Sequence, residues 1–217
     1  MGMGLLATAH AARPLNTDDT GVLERGRCES EAVLSRDKFE GATLRAQSLQ
    51  LGCGFGGRTQ LAMAIDQTRE DGQRVRGVNA AGKFALVPGD TASWSLSGAV
   101  GWVRADGQSY QRSATAINLL HTRSLGRQFF LHANLGHAQD ALARRSSTTW
   151  GMAIEHIGWG PWALMSELFG DDLEAPFWNL GLRWTVVPDR WVLDVAYGQQ
   201  MAGGRPKTMS LGVKLSF

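Results

Sequence analysis

The sequence predicts an all-β protein: a closed, up-and-down antiparallel transmembrane β-barrel of about 12 strands. Three observations predict this fold. Runs of about ten residues alternate between apolar and polar side chains. Tight connections alternate along the chain with longer, more charged ones. Large aromatic residues gather at the ends of the runs, and no stretch is apolar over enough consecutive residues to predict a transmembrane helix.

The alternating runs define the predicted strands in order, and none of them shows a sustained helical periodicity. Their number is even, as in single-chain bacterial barrels. We place them at 27–39, 42–55, 59–69, 75–87, 91–104, 109–123, 128–139, 147–158, 161–170, 176–187, 190–200 and 206–217.

The connections fall into two sets that alternate along the chain. Outer-membrane barrels have short periplasmic turns and longer outer loops, so this pattern places both termini in the periplasm. The first hairpin is the exception, because it turns in two residues at Glu40-Gly41. The tight set is GFGGR (54–58), VPGD (87–90), SLGRQ (124–128), GWGPW (158–162) and VPDR (187–190). The longer set is TREDGQR (68–74), RADGQS (104–109), AQDALARRSST (138–148), FGDDLEAPF (169–177) and QMAGGRPK (200–207).

Aromatic residues form two groups, as two membrane interfaces would select. A soluble β-sandwich or lipocalin-like barrel, the alternative, would place such residues in mid-strand. The group near the tight turns is Phe55, Trp94, Trp159, Trp162, Trp184, Trp191 and Phe217. The group near the longer loops is Trp102, Tyr110, Trp150, Phe177 and Trp178.

The last strand, TMSLGVKLSF (208–217), alternates up to its final residue. A closed barrel explains this, because its last strand pairs with its first. A terminal Phe217 resembles the signal that the outer-membrane assembly machinery recognises. The sequence therefore predicts the outer membrane of a Gram-negative bacterium, with outer-membrane lipid, lipopolysaccharide and that machinery as partners.

The N-terminal residues divide into two parts before the barrel at 27–217. Residues 1–12 contain small-x-small patterns like the end of a secretory signal, but they lack a basic region and a full apolar region. An ordinary flexible N-terminus is the alternative. Residues 13–26 are predicted to be a periplasmic segment, and folding inward as a plug is the alternative.

Composition argues against nucleic acid, metal ions and cofactors as partners. The formal net charge is +2 and Lys and Arg form no cluster in sequence, so we expect no nucleic-acid partner. With two Cys and no His beside them, we expect no metal site and no cofactor.

Alternation also assigns the residues that face the lumen. Charged side chains on the lipid face would cost about 2–4 kcal/mol near the membrane midplane, so we place them inside. Strand 109–123 is ambiguous, because INLLH breaks the alternation. The predicted pore-lining residues are Glu29, Glu31, Asp66, Lys83, Asn134, Glu155, Glu167, Arg183, Asp194 and Lys214. Small inner residues would leave the lumen open as a narrow pore: Gly52, Gly54, Ala62, Ala64, Ser95, Ser97, Ala99, Gly151, Ala153, Gly181 and Gly212.

Turn positions predict which residues face each other. A two-residue turn at Pro188-Asp189 places Arg183 opposite Asp194, and a turn centred on Gly204 places Asp194 level with Lys214. The three charges would form a ladder, which either selects solutes by charge or stiffens the wall through ion pairs.

The same reasoning applies to the two cysteines. The turn at Glu40-Gly41 places Cys28 opposite Cys53, with Cα atoms about 4.5–5.5 Å apart. The periplasm is oxidising, so the pair can form a disulfide, and free thiols are the alternative.

The stretch RPLNTDDTGVLERGRCESE (13–31) resembles the start of the outer-membrane proteins grouped as "MetA-pathway of phenol degradation". Cys28 departs from the aromatic or aliphatic residue usual in that family. The matching residues are Arg13, Pro14, Thr17, Asp18, Asp19, Gly26, Glu29 and Glu31. Further similarity lies in 51–65, 82–90, 131–138 and 179–198. The resemblance implies an outer-membrane transporter associated with aromatic-compound catabolism, and it implies no catalytic residues.

The sequence therefore favours a channel that passes small molecules passively, with hydrophobic or aromatic compounds as candidates. A non-conducting structural barrel is the first alternative. A lipid-modifying barrel enzyme is the second, and it would need a His within reach of a Ser. His121 and Ser124 differ in parity and lie at a predicted periplasmic turn, so we expect no enzyme.

Overall fold

The computed structural model describes residues 14–39, 42–70, 72–202 and 206–217, which form a closed barrel of twelve antiparallel strands. Every strand begins and ends within two residues of its predicted bounds. Within the described residues no helix is long and apolar enough to cross a membrane. The strands are β1 (Cys28–Phe39), β2 (Ala42–Gly56), β3 (Thr59–Glu70), β4 (Gln73–Val87), β5 (Ala92–Ala105), β6 (Gln111–Ser124), β7 (Phe129–Asp140), β8 (Arg145–Trp159), β9 (Trp162–Asp171), β10 (Phe177–Val187), β11 (Trp191–Gln200) and β12 (Lys207–Ser216).

Each strand pairs with its neighbours in sequence, and β1 pairs with β12 to close the barrel. The closing register runs from Glu29 opposite Ser216 to Lys38 opposite Lys207. Beyond it, the Cys28 N–H donates to the Phe217 carbonyl at 2.8 Å, and the Phe217 N–H donates to the Cys28 carbonyl at 2.9 Å. Closure satisfies the backbone groups that an open sheet edge would expose. The predicted barrel is confirmed.

The connections at one end of the barrel are short, as predicted. The β10–β11 connection has three residues, 188–190, rather than two. A bulge between Thr185 and Val187 restores the predicted register. At the other end the prediction for 68–74 was wrong, because β3 and β4 continue until only 71–72 connect them. The predicted turn residues Glu40, Gly41 and Gly204 lie outside the described residues, as do residues 1–13.

The middle of the outer face is apolar, and the inner face carries mainly small or polar side chains. On β3, Leu61, Met63 and Ile65 are 49%, 64% and 59% exposed, whereas the intervening Ala62 and Ala64 are buried. This distribution suits a barrel surrounded by lipid rather than by water.

The predicted aromatic residues lie at the strand ends, with one change of face. Trp162 and Trp184 stack on the outside with ring centroids 5.3 Å apart. Phe177 instead shares the inner-face parity of Asn179 and stacks on Phe169 at 5.6 Å. Most of the predicted interfacial aromatic residues therefore face outward, as an interfacial role requires.

The ambiguous strand β6 places its even-numbered residues inside. Leu120 is fully buried on the inner face, opposite Ser95 and Asn134. Ile117 and Leu119 are exposed on the outer face. The irregular INLLH stretch arises because an apolar residue occupies an inner position.

Cys28 lies directly opposite Cys53, as predicted, and the two form a disulfide. Their Cα atoms are 4.1 Å apart, slightly closer than expected. The Cys28 backbone bonds to Phe217 on its other side, so it faces Cys53 at a non-hydrogen-bonded position, where strands approach most closely.

Candidate functional site

Residues 14–24 lie inside the barrel, which is the inward placement considered as an alternative for the 13–26 segment. Arg25 forms a bridge with Gly54 at the tight-turn end. From there the segment reaches Pro14, which packs against Gly181 near the middle of β10. Leu15, Thr17, Asp18 and Thr20 are all buried. We call residues 14–24 the lumen segment.

Inner-wall glycines make room for the lumen segment. A Cβ atom on Gly54 would collide with the backbone carbonyls of Leu23 and Glu24. A Cβ on Gly151 would collide with Thr17, and one on Gly181 with Pro14. The interpretation that these small residues keep the lumen open is therefore wrong at these three positions, because the segment fills the space beside them.

Glu167 on β9 binds the inner end of the lumen segment. Its carboxylate accepts hydrogen bonds from the backbone N–H groups of Asn16 at 2.8 Å and Thr17 at 2.7 Å. It also accepts one from the Asn179 amide on β10 at 2.8 Å. Glu167 is 2% exposed, so these bonds to a charged acceptor form away from bulk water and are strong. Leu15 adds an apolar contact with the wall, where it packs with Ala153, Ala163 and Met165.

Lys83 on β4 binds the middle of the lumen segment. Its ammonium group donates to the Asp18 carboxylate at 2.8 Å and to the Asp19 carbonyl at 3.0 Å. The Asp19 carboxylate lies 3.6 Å away. One buried cation therefore faces two carboxylates.

The pKa values of Asp18 and Asp19 shift in opposite directions. Burial raises the pKa of Asp18 well above its usual range, although Lys83 opposes the rise. The Oδ2 atom of Asp18 is buried with no hydrogen-bond partner among the described residues. Burial also acts to raise the pKa of Asp19, but the charges of Lys83 and His132 lower it overall.

Hydroxyl groups bind the segment nearer the tight-turn end. The Thr20 N–H donates to the Thr122 hydroxyl at 3.1 Å, and the Ser95 hydroxyl donates to the Thr20 carbonyl at 2.7 Å. The Leu23 N–H donates to the Gln60 side chain at 2.8 Å. Strands from most of the barrel wall thus contribute to holding the segment.

A second network continues along the wall from Thr122. The Thr122 hydroxyl lies 3.0 Å from His132 Nδ1, and His132 Nε2 lies 3.3 Å from Glu155. Glu155 accepts a further hydrogen bond from Arg183 at 2.8 Å. The order of hydroxyl, imidazole and carboxylate is that of a hydrolase triad. The Thr122 hydroxyl, however, already accepts the Thr20 N–H beneath the lumen segment, so we interpret the network as structural.

The predicted three-charge ladder forms only in part. Arg183 lies opposite Asp194, as predicted. Asp194 lies opposite Gly212 rather than Lys214, because the β11–β12 register is centred one residue before the predicted Gly204. Lys214 instead lies 3.6 Å from Glu29 on β1.

All ten predicted pore-lining residues lie on inner-face positions, and their role in selecting solutes stays a prediction. Asp66 bonds to the Asn79 amide, the Asn134 amide faces the Asp18 backbone, and Glu31 lies opposite both Gln50 and Lys214. The full set is Glu29, Glu31, Asp66, Lys83, Asn134, Glu155, Glu167, Arg183, Asp194 and Lys214.

Sequence reasoning missed the partners that the lumen segment supplies. The sequence assigns no role to Asn16, Asp18 or Thr20, although Asp18 is among the residues that carry the family resemblance. The available signal was the polar run NTDDT (16–20), which precedes the first barrel strand without any alternation of its own. No group of His, Cys, Asp and Glu within the described residues could hold a metal ion.

The fold and this lumen define the class: a closed twelve-stranded β-barrel of the outer-membrane type, with an internal segment bound to its wall. The chain belongs to the family described as "Uncharacterised conserved protein UCP029691", which matches residues 3–217. No curated protein matches the chain significantly.

Solved outer-membrane barrels share the fold. The KdgM porin in complex with disordered oligogalacturonate has a TM-score of 0.68 at 10% identity, covering 87% of this chain and 99% of that one. The COG4313 outer membrane channel from Pseudomonas putida F1 has a TM-score of 0.64 at 11% identity, covering 94% and 100%. The Ralstonia pickettii toluene transporter TbuX has a TM-score of 0.52 at 7% identity, covering 88% and 90%. All three are named as porins, channels or transporters.

Proposed function

We propose that this protein is a passive channel for small molecules in the outer membrane of a Gram-negative bacterium, and that the lumen segment gates it. The observation that carries the proposal is a barrel whose outside is apolar and whose inner wall carries many ionisable groups, among them Lys83, Glu155, Glu167 and Asp194. Such a wall interacts with water and solutes once space opens beside it. The short turns and both termini then lie in the periplasm.

The lumen segment can leave without disrupting the barrel. The barrel is held by its own backbone ladders, closed through β1 and β12. The segment is held mainly by side chains, through Glu167, Lys83 and the hydroxyl groups around Thr20. Breaking those contacts costs no strand pairing, so the two states can interconvert while the wall stays intact.

Small aromatic compounds are the solutes that we propose to test first. TbuX, which shares the fold, is named as a toluene transporter. The RPLNTDDTG stretch that begins at Arg13 supports our further proposal of kinship with the "MetA-pathway of phenol degradation" proteins.

A non-conducting structural barrel is the second candidate, because the segment fills part of the lumen and is bound at several heights. In that case the segment acts as a permanent internal brace, and its contacts contribute to stability alone.

Conductance of the full-length protein in planar bilayers separates these functions, and Lys83→Met is the informative variant. Without Lys83, Asp18 loses its ion pair and hydrogen bond and Asp19 loses the nearby cation, so the lumen position becomes less favourable and the segment should spend more time outside. We expect brief openings in the unmodified protein and a larger open fraction in Lys83→Met. Adding Asp18→Asn should restore much of the closed time, because it removes the uncompensated charge.

Lys207→Met is the matched control, because it removes the same charge from an outward-facing lysine that lies opposite Lys38 at the closing strands. It should leave the open fraction close to that of the unmodified protein. Equal opening in both variants would contradict the gate. Absence of conductance in the unmodified protein and in Lys83→Met alike would contradict the channel and favour the structural barrel.

A further inference from the structure

Six outward-facing arginines form a continuous row across five neighbouring strands at the long-loop end. Direct cross-strand pairs join Arg36 to Arg45, Arg45 to Arg69, and Arg69 to Arg74, and Arg76 pairs with Arg104. We call this row the arginine belt: Arg36, Arg45, Arg69, Arg74, Arg76 and Arg104. Lys38 opposite Lys207 extends it onto β12.

Like charges placed directly opposite each other destabilise a sheet unless something neutralises them. The outward-facing positions of β1–β5 contain no Asp or Glu among the described residues. The ion pairs found in the described part of the chain lie in the lumen and include none of the six arginines. The described outer face therefore supplies no negative charge to the row, and an anionic ligand would neutralise it.

The belt lies at the edge of the apolar band. Leu34 precedes Arg36 by two residues, and Ile65 precedes Arg69 by four; both are more than half exposed. The belt is also confined to one side of the barrel. Over the long-loop halves of β7–β11, the described outward positions carry no Arg or Lys and include Trp150, Trp178 and Tyr197. General anchoring at the interface would not require such a one-sided arrangement.

Arg74 provides an independent sign of a missing ligand. Its Nε atom is buried and has no hydrogen-bond partner among the described residues. The guanidinium group offers a planar fork of donors that matches phosphate oxygens. A row of such forks at the height of the outer headgroups suits a lipid that carries more than one phosphate.

We propose that the arginine belt is a binding site for the phosphate groups of lipopolysaccharide. The lipid A part of that molecule places its phosphates at the headgroup boundary and its acyl chains against the apolar band below. The site depends on the outer-membrane location proposed above but not on conduction. If the protein does not conduct, the lipopolysaccharide site can still be tested, and failure of the site leaves the channel proposal intact.

Native mass spectrometry of the purified full-length barrel in zwitterionic detergent tests the site, with diphosphorylated lipid A as the probe. Arg45→Gln with Arg69→Gln should weaken binding by about tenfold or more, because it removes charge-assisted hydrogen bonds from the middle of the belt. Arg123→Gln with Arg190→Gln removes two exposed arginines from the tight-turn end and should leave the affinity unchanged.

Thermal unfolding gives a second measurement. Without lipid, the belt variant should unfold at the same or a higher temperature than the unmodified protein, because like-charge repulsion is relieved. Diphosphorylated lipid A should raise the unfolding temperature of the unmodified protein more than that of the variant.

If the Gln variant does not fold, Arg45→Lys with Arg69→Lys keeps the charge but removes the planar guanidinium fork, and it should bind lipid A more weakly. Unchanged lipid A affinity in the belt variants, or equal loss in the tight-turn control, would overturn the proposal. Equally tight binding of phosphatidylglycerol would also overturn it, because it would indicate a general preference for anionic lipid.

Discussion

At the scale of single residues, charges inside this barrel are held by specific partners. Lys83 binds Asp18, Glu155 binds Arg183 and His132, and Glu167 accepts hydrogen bonds from Asn179 on β10 and from the lumen segment. A buried charge without such partners would cost several kcal/mol, about 3–5 in typical cases. These residues therefore contribute to stability whatever else they do.

Glu155→Gln tests whether the wall charges also select ions. The change removes a carboxylate 2.8 Å from the Arg183 guanidinium, so the wall becomes more positive and anion permeability should rise. Asp194→Asn, opposite Arg183, should act in the same direction. Both effects should weaken as added salt screens the field. Reversal potentials under a salt gradient measure them.

Glu174→Gln provides the control, because Glu174 is exposed in the connection between β9 and β10. The reversal potential of the Glu174→Gln variant should match that of the unmodified protein. If Glu155→Gln lowers thermal stability and leaves the reversal potential unchanged, the inner charges brace the wall and do not select ions.

At the scale of elements, the first hairpin is held by a covalent cross-link as well as by its backbone hydrogen bonds. It joins the closing strand β1 to β2, and the Cys28–Cys53 disulfide links the two at the tight-turn end. The lumen segment leaves the wall at the same place, where the Gly26 N–H donates to the Gly54 carbonyl at 3.0 Å. The disulfide thus stabilises the base of the segment and the closing seam together.

Replacing both cysteines with Ser should lower the free energy of unfolding by about 3 kcal/mol, because the cross-link removes the freedom of a loop of about 25 residues from the unfolded chain. Urea unfolding of the refolded barrel in detergent measures the change. Reduction of the unmodified protein should have the same effect, and reductant should not affect the double variant. Equal stability of the oxidised, reduced and substituted proteins would contradict this role.

At the scale of the whole molecule, the backbone and the side chain of Phe217 have different roles in closing the barrel. The Phe217 backbone makes two hydrogen bonds to Cys28, whereas its side chain is 62% exposed on the barrel surface. Replacing the side chain leaves the closing bonds available. Its contribution can therefore lie in recognition by the assembly machinery rather than in stability, as we propose.

Phe217→Ala should reduce the amount of barrel found in the outer membrane of cells and leave the unfolding of the refolded protein nearly unchanged. Phe55→Ala is a matched control, because Phe55 is equally exposed at 62% near the same end of the barrel. Similar cellular amounts of the two variants would show that the terminal position carries no signal, and a large loss of stability in Phe217→Ala alone would assign the side chain to closure.

The sequence by itself determined the barrel, because its signals are local. Alternation has a period of two residues, so it identifies each strand and each face without knowledge of distant contacts. Short turns transfer that information between neighbouring strands, which is why Cys28 opposite Cys53 was predictable. Arg183 lies opposite Asp194 as predicted because the bulge between Thr185 and Val187 compensates for the extra residue in the connection. All ten inner-wall residues follow from the same parity.

Only the tertiary structure decided what occupies the lumen. Residues 14–24 have no periodicity that could indicate their position, and their partners Lys83 and Glu167 lie about 65 and 150 residues away in sequence. Inner glycines such as Gly151 and Gly181 are equally compatible with empty space and with a packed segment until the shapes on both sides are known. The position of Lys214 was missed for a related reason: the β11–β12 connection is long, and long connections do not specify register as tight turns do. Local pattern determines the wall of a barrel, and complementarity between parts far apart in the chain determines what the wall encloses.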